Sequence, residues 1–372
     1  PALSKDGSML RYGGRRTALP LFLNPHLPTM CRVSARISVR ERPVSSSSGP
    51  VYLVRDMEGN LIDTTIAEIR EISRGERITV AFSGGQDSTL VAALASEALG
   101  RDRVKLVNVC FGPYSYSRGL EIVVELADRL GLRLEFTPGY EAQEAVWKNG
   151  PSCNRCTRYA KLPSMRNSAL GIIATGANQS DTWGQTGIAL KDGFYAPIRG
   201  WDKKLIGMAL EELKIHVPRI GEAPVREGCK LKHLLKIMAN PSYHGYAVAI
   251  SNEILLDCLE SFPHTLANVK IAGPLSKNIA LVNVSPLPPV ELRERITAML
   301  GRVEEIDEVR WIDNETKLKI LANPGIYNSE EARYWIERGR LAPEFAFPVS
   351  FEWTRSTNRR LETFQVVDSW RL

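Results

Sequence analysis

The chain has 372 residues, 44% hydrophobic and 24% charged, which is the balance of an ordinary globular protein with room for two or three domains. That composition excludes a collagen-like, wholly disordered or disulfide-dense chain, and without a run of about 18 apolar residues no membrane helix is expected. The net charge of +6 is concentrated in residues 1–43, and the rest of the chain is neutral overall. A basic pI supports a nucleic-acid partner only as far as this arm is functional.

Residues 1–48 read as a basic, disordered leader that ends in the Ser45–Ser48 run before Gly49 and Pro50. The leader is Arg-rich and acid-poor, as transit peptides are, and Arg15–Leu23 faintly mimics a signal peptide. Pro20 breaks its short apolar run, and no clear cleavage site follows. Six scattered cysteines without a secretory signal point to a reducing compartment, read as cytoplasmic. The chain begins at Pro1, which reads as a fragment or a displaced start.

Val51–Val54 and Leu61-Ile62 flank Glu58-Gly59-Asn60 and predict a small hairpin. Thr64–Ile72 has helical apolar spacing. Ile78–Phe82 reads as a short buried strand, and Ser88–Leu99 as the helix that follows it. The alternation continues with strand Val104–Val109, helix Gly119–Leu130, strand Leu132–Phe136 and helix Glu141–Lys148. Helix Tyr159–Leu170 and strand Gly171–Thr175 complete the series. This order predicts an α/β fold with a doubly wound parallel sheet, whose ligands bind at the carboxyl ends of the strands. Farther on, Val269–Ala272 and Ile279–Val284 read as strands, and Val290–Leu300 and Glu331–Arg338 as helices. The expected division is a leader over 1–48, a nucleotide domain over 49–240 and a smaller α+β domain over 241–372. That last part binds substrate or forms an oligomer interface, and a homodimer is compatible with it.

Ser83-Gly84-Gly85-Gln86-Asp87-Ser88 lies between the first central strand and its helix. Two glycines let the backbone approach a ligand, and the amides of the turn and the helix start form an anion nest. Ser83 and Ser88 add hydroxyls. Asp87 is unexpected at a phosphate site unless it holds Mg²⁺ between itself and the phosphates. Gly-Gly alone would be a tight turn with an aspartate cap, but the full string is far more specific. No Walker-type G-x-x-x-x-G-K-[ST] string occurs.

This string resembles the signature of the PP-loop (N-type) ATP pyrophosphatases. A second segment, Ala174-Thr175-Gly176-Ala177-Asn178-Gln179-Ser180-Asp181-Thr182, is similar to that family's Thr-Gly-His-Asn-x-Asp-Asp element beside the nucleotide. Gly176, Asn178 and Asp181 match, whereas Ala177 and Ser180 depart from it. The resemblance covers about residues 65–235. It implies the adenine nucleotide alpha-hydrolase-like fold, ATP bound through Ser83–Ser88, Gly176 and Asn178, and transfer of AMP to a substrate oxygen.

Cys153-Asn154-Arg155-Cys156 is a C-x-x-C, with Cys229 far beyond it. Taken alone, the pair could be redox-active, half a zinc site completed by His233, or coincidence. The resemblance extends to thiolating PP-loop enzymes of the tRNA 2-thiouridine and 2-thiocytidine type. It implies that Cys153, Cys156 and Cys229 hold a [4Fe–4S] cluster with one open iron, with zinc as the lesser alternative. Such enzymes often carry extra zinc ribbons, and their absence here weakens the case for tRNA. Cys110 and Cys258 end apolar segments and read as buried structural thiols.

Among nearby basic residues (Arg155, Arg158, Lys161, Arg166, Arg199, Lys203, Lys204), Lys161 is favoured because it stays on the side of Cys156. Asp87, Lys161 and Asp181 are therefore the candidate catalytic residues. The implied activity is ATP-dependent sulfur transfer to a tRNA base, with sulfide or a sulfur carrier as donor. Sulfur insertion into a small cofactor precursor, an amide- or nitrile-forming ligase with zinc, and a nucleotide-binding regulatory module are the alternatives.

Overall fold

The computed structural model describes residues 59–223 and 228–372, with the backbone alone for Gly59 and Asn60. The leader, the Val51–Val54 strand and the Arg226-Glu227 approach to Cys229 lie outside the described residues.

The predicted hairpin gives way to a helix, α1 (Gly59–Ser73), which takes in Leu61 and Ile62. Ile62, Ile66 and Ile69 recur at helical spacing, and Ile66 and Ile69 are buried in the core. The period of 3.6 therefore wins over a two-residue apolar pair, which is too short to define a strand.

The β/α alternation follows as expected. β1 (Ile78–Ala81), α2 (Gln86–Leu99), β2 (Val104–Cys110), α3 (Ser117–Leu130), β3 (Arg133–Pro138) and α4 (Tyr140–Trp147) form the first units. The single helix expected over Tyr159–Leu170 begins earlier and is broken into three parts. These are α5 (Cys153–Cys156), a π-helical turn (Thr157–Lys161) and α6 (Leu162–Ser168). Pro163 lacks an amide proton for a regular helix, which fits the interruption just before it. β4 (Ile172–Ala174), α7 (Thr182–Gln185), β5 (Leu190–Lys191), β6 (Phe194–Tyr195) and α8 (Lys203–Glu212) complete this part.

The six strands pair in the order β3-β2-β1-β4-β6-β5, parallel throughout except for β5. This is the expected doubly wound sheet. Ile78, Val80, Leu106, Leu90 and Leu126 are buried in the core that α1, α2 and α3 share with it. Every loop leaving the carboxyl ends of the parallel strands opens on one edge, where ligands collect in such sheets.

The remainder is richer in strands than the sequence suggests. α9 (Tyr246–Cys258) leads to β7 (Leu266–Ala272), β8 (Ile279–Ser285), α10 (Val290–Leu300) and β9 (Glu308–Trp311). β10 (Thr316–Ala322), α11 (Pro324–Tyr327), α12 (Glu330–Ile336), β11 (Val349–Arg355) and β12 (Phe364–Arg371) follow. They make two three-stranded sheets, β7-β8-β9 and β11-β10-β12. A second apolar core crosses residue 240, joining Trp147 and Cys156 to Val248, Val269 and Val282. Cys110 is buried as expected. No helix among the described residues is long and apolar enough to cross a membrane.

Candidate active site

The loop between β1 and α2 is built around Gly84, whose φ of +73° favours glycine. A Cβ there would lie 2.8 Å from Val123 Cγ2 on α3, so the side chain is excluded twice over. Ser88 is buried and locks the loop: its Oγ accepts from the Ser83 amide (3.2 Å) and donates to the Gly85 carbonyl (3.1 Å). Thr89 Oγ1 donates to the same carbonyl at 2.8 Å. Ser88 thus shapes the loop, while Ser83 and Gln86 are exposed and can face a ligand. Gly85 caps α2 without a side-chain hydrogen bond, leaving the first-turn amides for an anion.

Asp87 stands on that first turn. Lys203, the first residue of α8, donates to both of its oxygens at 2.8 and 2.6 Å. Asp202 caps α8 by accepting from the Leu205 amide at 2.8 Å, which fixes the root of Lys203. A single carboxylate beside an anion nest fits Mg²⁺, which takes one or two protein carboxylates and fills its shell with phosphate oxygens and water. In this arrangement Lys203 occupies that carboxylate.

The loop after β4 lies against the same turn. A Cβ on Gly176 would meet Asp87 Cβ at 2.8 Å and the Ser88 amide nitrogen at 3.1 Å. Asn178 is fully buried: Nδ2 donates to Gly176 O (3.0 Å), and Oδ1 accepts from the Ser180 amide (3.0 Å). Asp181 Oδ2 accepts from the Asn178 amide at 3.2 Å. Asn178 and Asp181 therefore hold the loop in shape, and Gly176 brings it against the phosphate loop.

The three cysteines come from distant segments. Cys229 pairs as an isolated β-bridge with Ser115, in the loop after β2, while Cys153 and Cys156 form the ends of α5. All three thiols are free. Gln143 on α4 donates from Nε2 to Cys229 Sγ at 3.1 Å and also hydrogen-bonds Cys156. Burial pushes the Cys229 thiol up to about 12, with the neighbouring Cys156 and Cys153 adding to the rise. Burial likewise raises Cys156 to about 11, against which the Gln143 hydrogen bond and the Lys161 ammonium pull down. Lys161 thus lies on the side of Cys156, as its position in the sequence suggests.

Among the described residues no group of three or more His, Cys, Asp or Glu side chains is arranged to hold a metal ion. The three thiols are of the soft donor type that suits iron–sulfur ligation better than a complete zinc site, but they are not arranged as a metal-holding set. His233 is fully buried, with the Glu344 carboxylate 3.9 Å from Nδ1 and the charges of Lys270, Lys232 and Arg340 acting on it, not those of the thiols.

Two residues gain importance that the sequence did not give them. Lys203 is one of seven basic candidates by position, and only the fold sets it on Asp87. Gln143 carries a faint signal: it is a polar residue on the buried face of α4 beside Val146 and Trp147.

The family model for NAD synthase matches residues 61–152. The matches support a PP-loop ATP pyrophosphatase fold for this region. An NH(3)-dependent NAD(+) synthetase from Pyrobaculum aerophilum is 31% identical over 122 residues, 32% of this chain and 45% of that protein. A pyridinium-3,5-bisthiocarboxylic acid mononucleotide synthase from Lactiplantibacillus plantarum is 35% identical over 89 residues, 24% of this chain and 31% of that protein. A glutamine-hydrolyzing GMP synthase from Paraburkholderia phytofirmans is 36% identical over 76 residues, 20% of this chain and 14% of that protein. The chain thus spans less than half the length of these relatives.

Proposed function

We propose that the protein is an ATP-dependent sulfurtransferase that forms AMP and pyrophosphate, replacing a carbonyl oxygen of a tRNA base with sulfur. One observation carries the reading. Three free thiols gather at the same sheet edge as the phosphate loop, Cys229 beside the loop after β2 and Gln143 on the helix after β3.

In this reading residues 49–240 activate the acceptor and residues 241–372 complete the acceptor side. The amides at the start of α2 hold the pyrophosphate of ATP. Asp87 would hold Mg²⁺, whose charge screens the phosphates, and Lys203, released from Asp87, turns its ammonium to them. The acceptor's carbonyl oxygen attacks the α-phosphorus, and the bond to pyrophosphate breaks. Alignment and charge neutralisation are what such a transfer asks of the protein. A sulfur nucleophile then attacks the activated carbon, and AMP departs with the original oxygen. Cys153, Cys156 and Cys229 would hold an iron–sulfur cluster, which when bound supplies an iron to carry that sulfur. Lys161 and Gln143 favour the thiolate forms that such ligation requires.

The named product of the Lactiplantibacillus relative, a bisthiocarboxylic acid mononucleotide, favours a second reading. There the same site inserts sulfur into a small-molecule carboxylate.

The test is iron, acid-labile sulfide and zinc per chain on protein purified without oxygen, beside a Cys153→Ala/Cys156→Ala variant. Cluster iron that vanishes in the variant supports sulfur transfer. Zinc, or no metal at all, sinks the cluster and moves the assignment to an ATP-dependent ligase.

A further inference from the structure

Next to the thiols the surface turns basic and aromatic. Tyr159, in the π-helical turn that follows α5, is 52% exposed. The guanidinium carbons of Arg158 and Arg155 lie 5.3 and 6.0 Å from its ring centre. Asn154 in α5 and Thr157 and Arg158 on the turn are exposed.

The loop between β11 and β12 borders this turn, although it comes from the far end of the chain. Glu362 forms an ion pair with Arg155, and its amide donates to Asn149 O at 2.9 Å. Gly150 sits so tightly under the loop that a Cβ would meet Thr363 Oγ1 and, at 3.3 Å, Leu361 Cδ1. Leu361 is buried, and Asn358 closes the turn by accepting from the Arg360 amide at 3.0 Å. The loop is therefore fixed, with Arg359 and Arg360 exposed. Arg158, Arg359 and Arg360 form no ion pair among the described residues.

An exposed, unpaired guanidinium on a half-exposed ring, with two more on the loop that contacts Arg155, matches two features of one ligand class. Phosphates of a strand neutralise the cations, and an unpaired base stacks on the ring. A small mononucleotide would need concave burial, which these exposed side chains do not provide. We propose that Arg158 and Tyr159, with Arg359 and Arg360 of the β11–β12 loop, form a docking rim for single-stranded RNA at the mouth of the three-cysteine site. The inference rests on the sulfur-transfer reading and gives the C-terminal sheet a role in it.

The test measures binding of a labelled 20-nucleotide RNA and of an unmodified tRNA transcript to the full chain, across salt concentrations. The variants are Arg158→Ala, Tyr159→Ala, Tyr159→Phe and Arg359→Ala/Arg360→Ala. All of them keep the basic segment 1–43, so its contribution cancels. The arginine pair should lower the slope of log affinity against log salt by about 1.4, since each single-strand phosphate that an arginine neutralises adds roughly 0.7. Tyr159→Ala should weaken binding about tenfold and Tyr159→Phe hardly at all, as stacking predicts. Unchanged affinity in all variants overturns the rim, as does full displacement of the RNA by millimolar uridine monophosphate. Pyrophosphate release and metal content on the same preparations separate the two claims. Rim-dependent RNA binding without AMP formation breaks the sulfur-transfer reading alone. AMP formation without RNA binding breaks the rim alone.

Discussion

The phosphate loop and the three-cysteine site lie on one edge of one sheet, yet they are built by opposite means. The loop is local: six consecutive residues between β1 and α2, locked by Ser88 and a left-handed Gly84, with backbone amides as the proposed ligand donors. The proposed thiol site is assembled from α4, α5 and the segment at Cys229, and burial pushes up two of its thiols, Cys156 and Cys229. A backbone site is ready for its ligand once the turn forms. A thiol site of this kind is closed until a ligand compensates for deprotonation.

The largest expected effect breaks the loop and spares the thiols. Lys203→Ala should lower ATP-dependent pyrophosphate release by about 10²–10³-fold, the usual effect of removing one preorganised charge partner of a reacting group. Metal content should stay unchanged. Full turnover in the variant would remove Lys203 from the mechanism.

Next comes the reactivity of the thiols in metal-free protein. At pH 8, a thiol pushed up to about 11 is ionised roughly two orders of magnitude less than an ordinary cysteine. Iodoacetamide mapped by mass spectrometry should therefore label Cys156 and Cys229 slowly at pH 8, with the rate climbing towards pH 11. Rapid labelling of both at pH 7 would show the site to be open and its thiols already ionised.

Gly84→Ala sharpens the comparison from the side of stability. A methyl group against Val123, at a positive φ, should cost about 1–3 kcal/mol in a urea melt. Replacement of Cys229 by serine should cost less, because it leaves every backbone constraint in place. The reverse order would mean that the thiol site, not the loop, is the rigid one.

The smallest effect lies outside both sites and serves as a control. Arg310, at 2.5 Å, and then Lys277 hold the Glu308 carboxyl down at about 2. A depressed carboxyl contributes stability above its ordinary pKa and loses that contribution as the pH falls from about 4.5 towards 2. Glu308→Gln should cost under about 1 kcal/mol at pH 7, since the pair is partly solvated, and only a small fraction of that at pH 2. A cost that persisted undiminished at pH 2 would point to packing instead of charge.

What the sequence determines by itself is whatever is written in consecutive residues. The β/α alternation over 78–175 is legible because strand and helix periods differ, and the phosphate loop because its glycines and hydroxyls must be adjacent. Even the segment around Gly176 is recognisable, although its work is to let two loops touch. The first helix is hidden over Leu61-Ile62 because two apolar residues cannot show a period. The strands β9 to β12 do not stand out because their pairing partners are remote.

Only the tertiary structure decided which charges and thiols meet. It set Lys203 on Asp87, buried Asn178 and set Asp181 on its amide to shape their loop, and placed Gln143 between two cysteines. It buried His233 beside Glu344 and three cations and brought the β11–β12 loop to Arg155. Backbone sites follow from local conformation, whereas side-chain sites depend on the meeting of segments that sequence separation hides. The proposed chemistry draws on both.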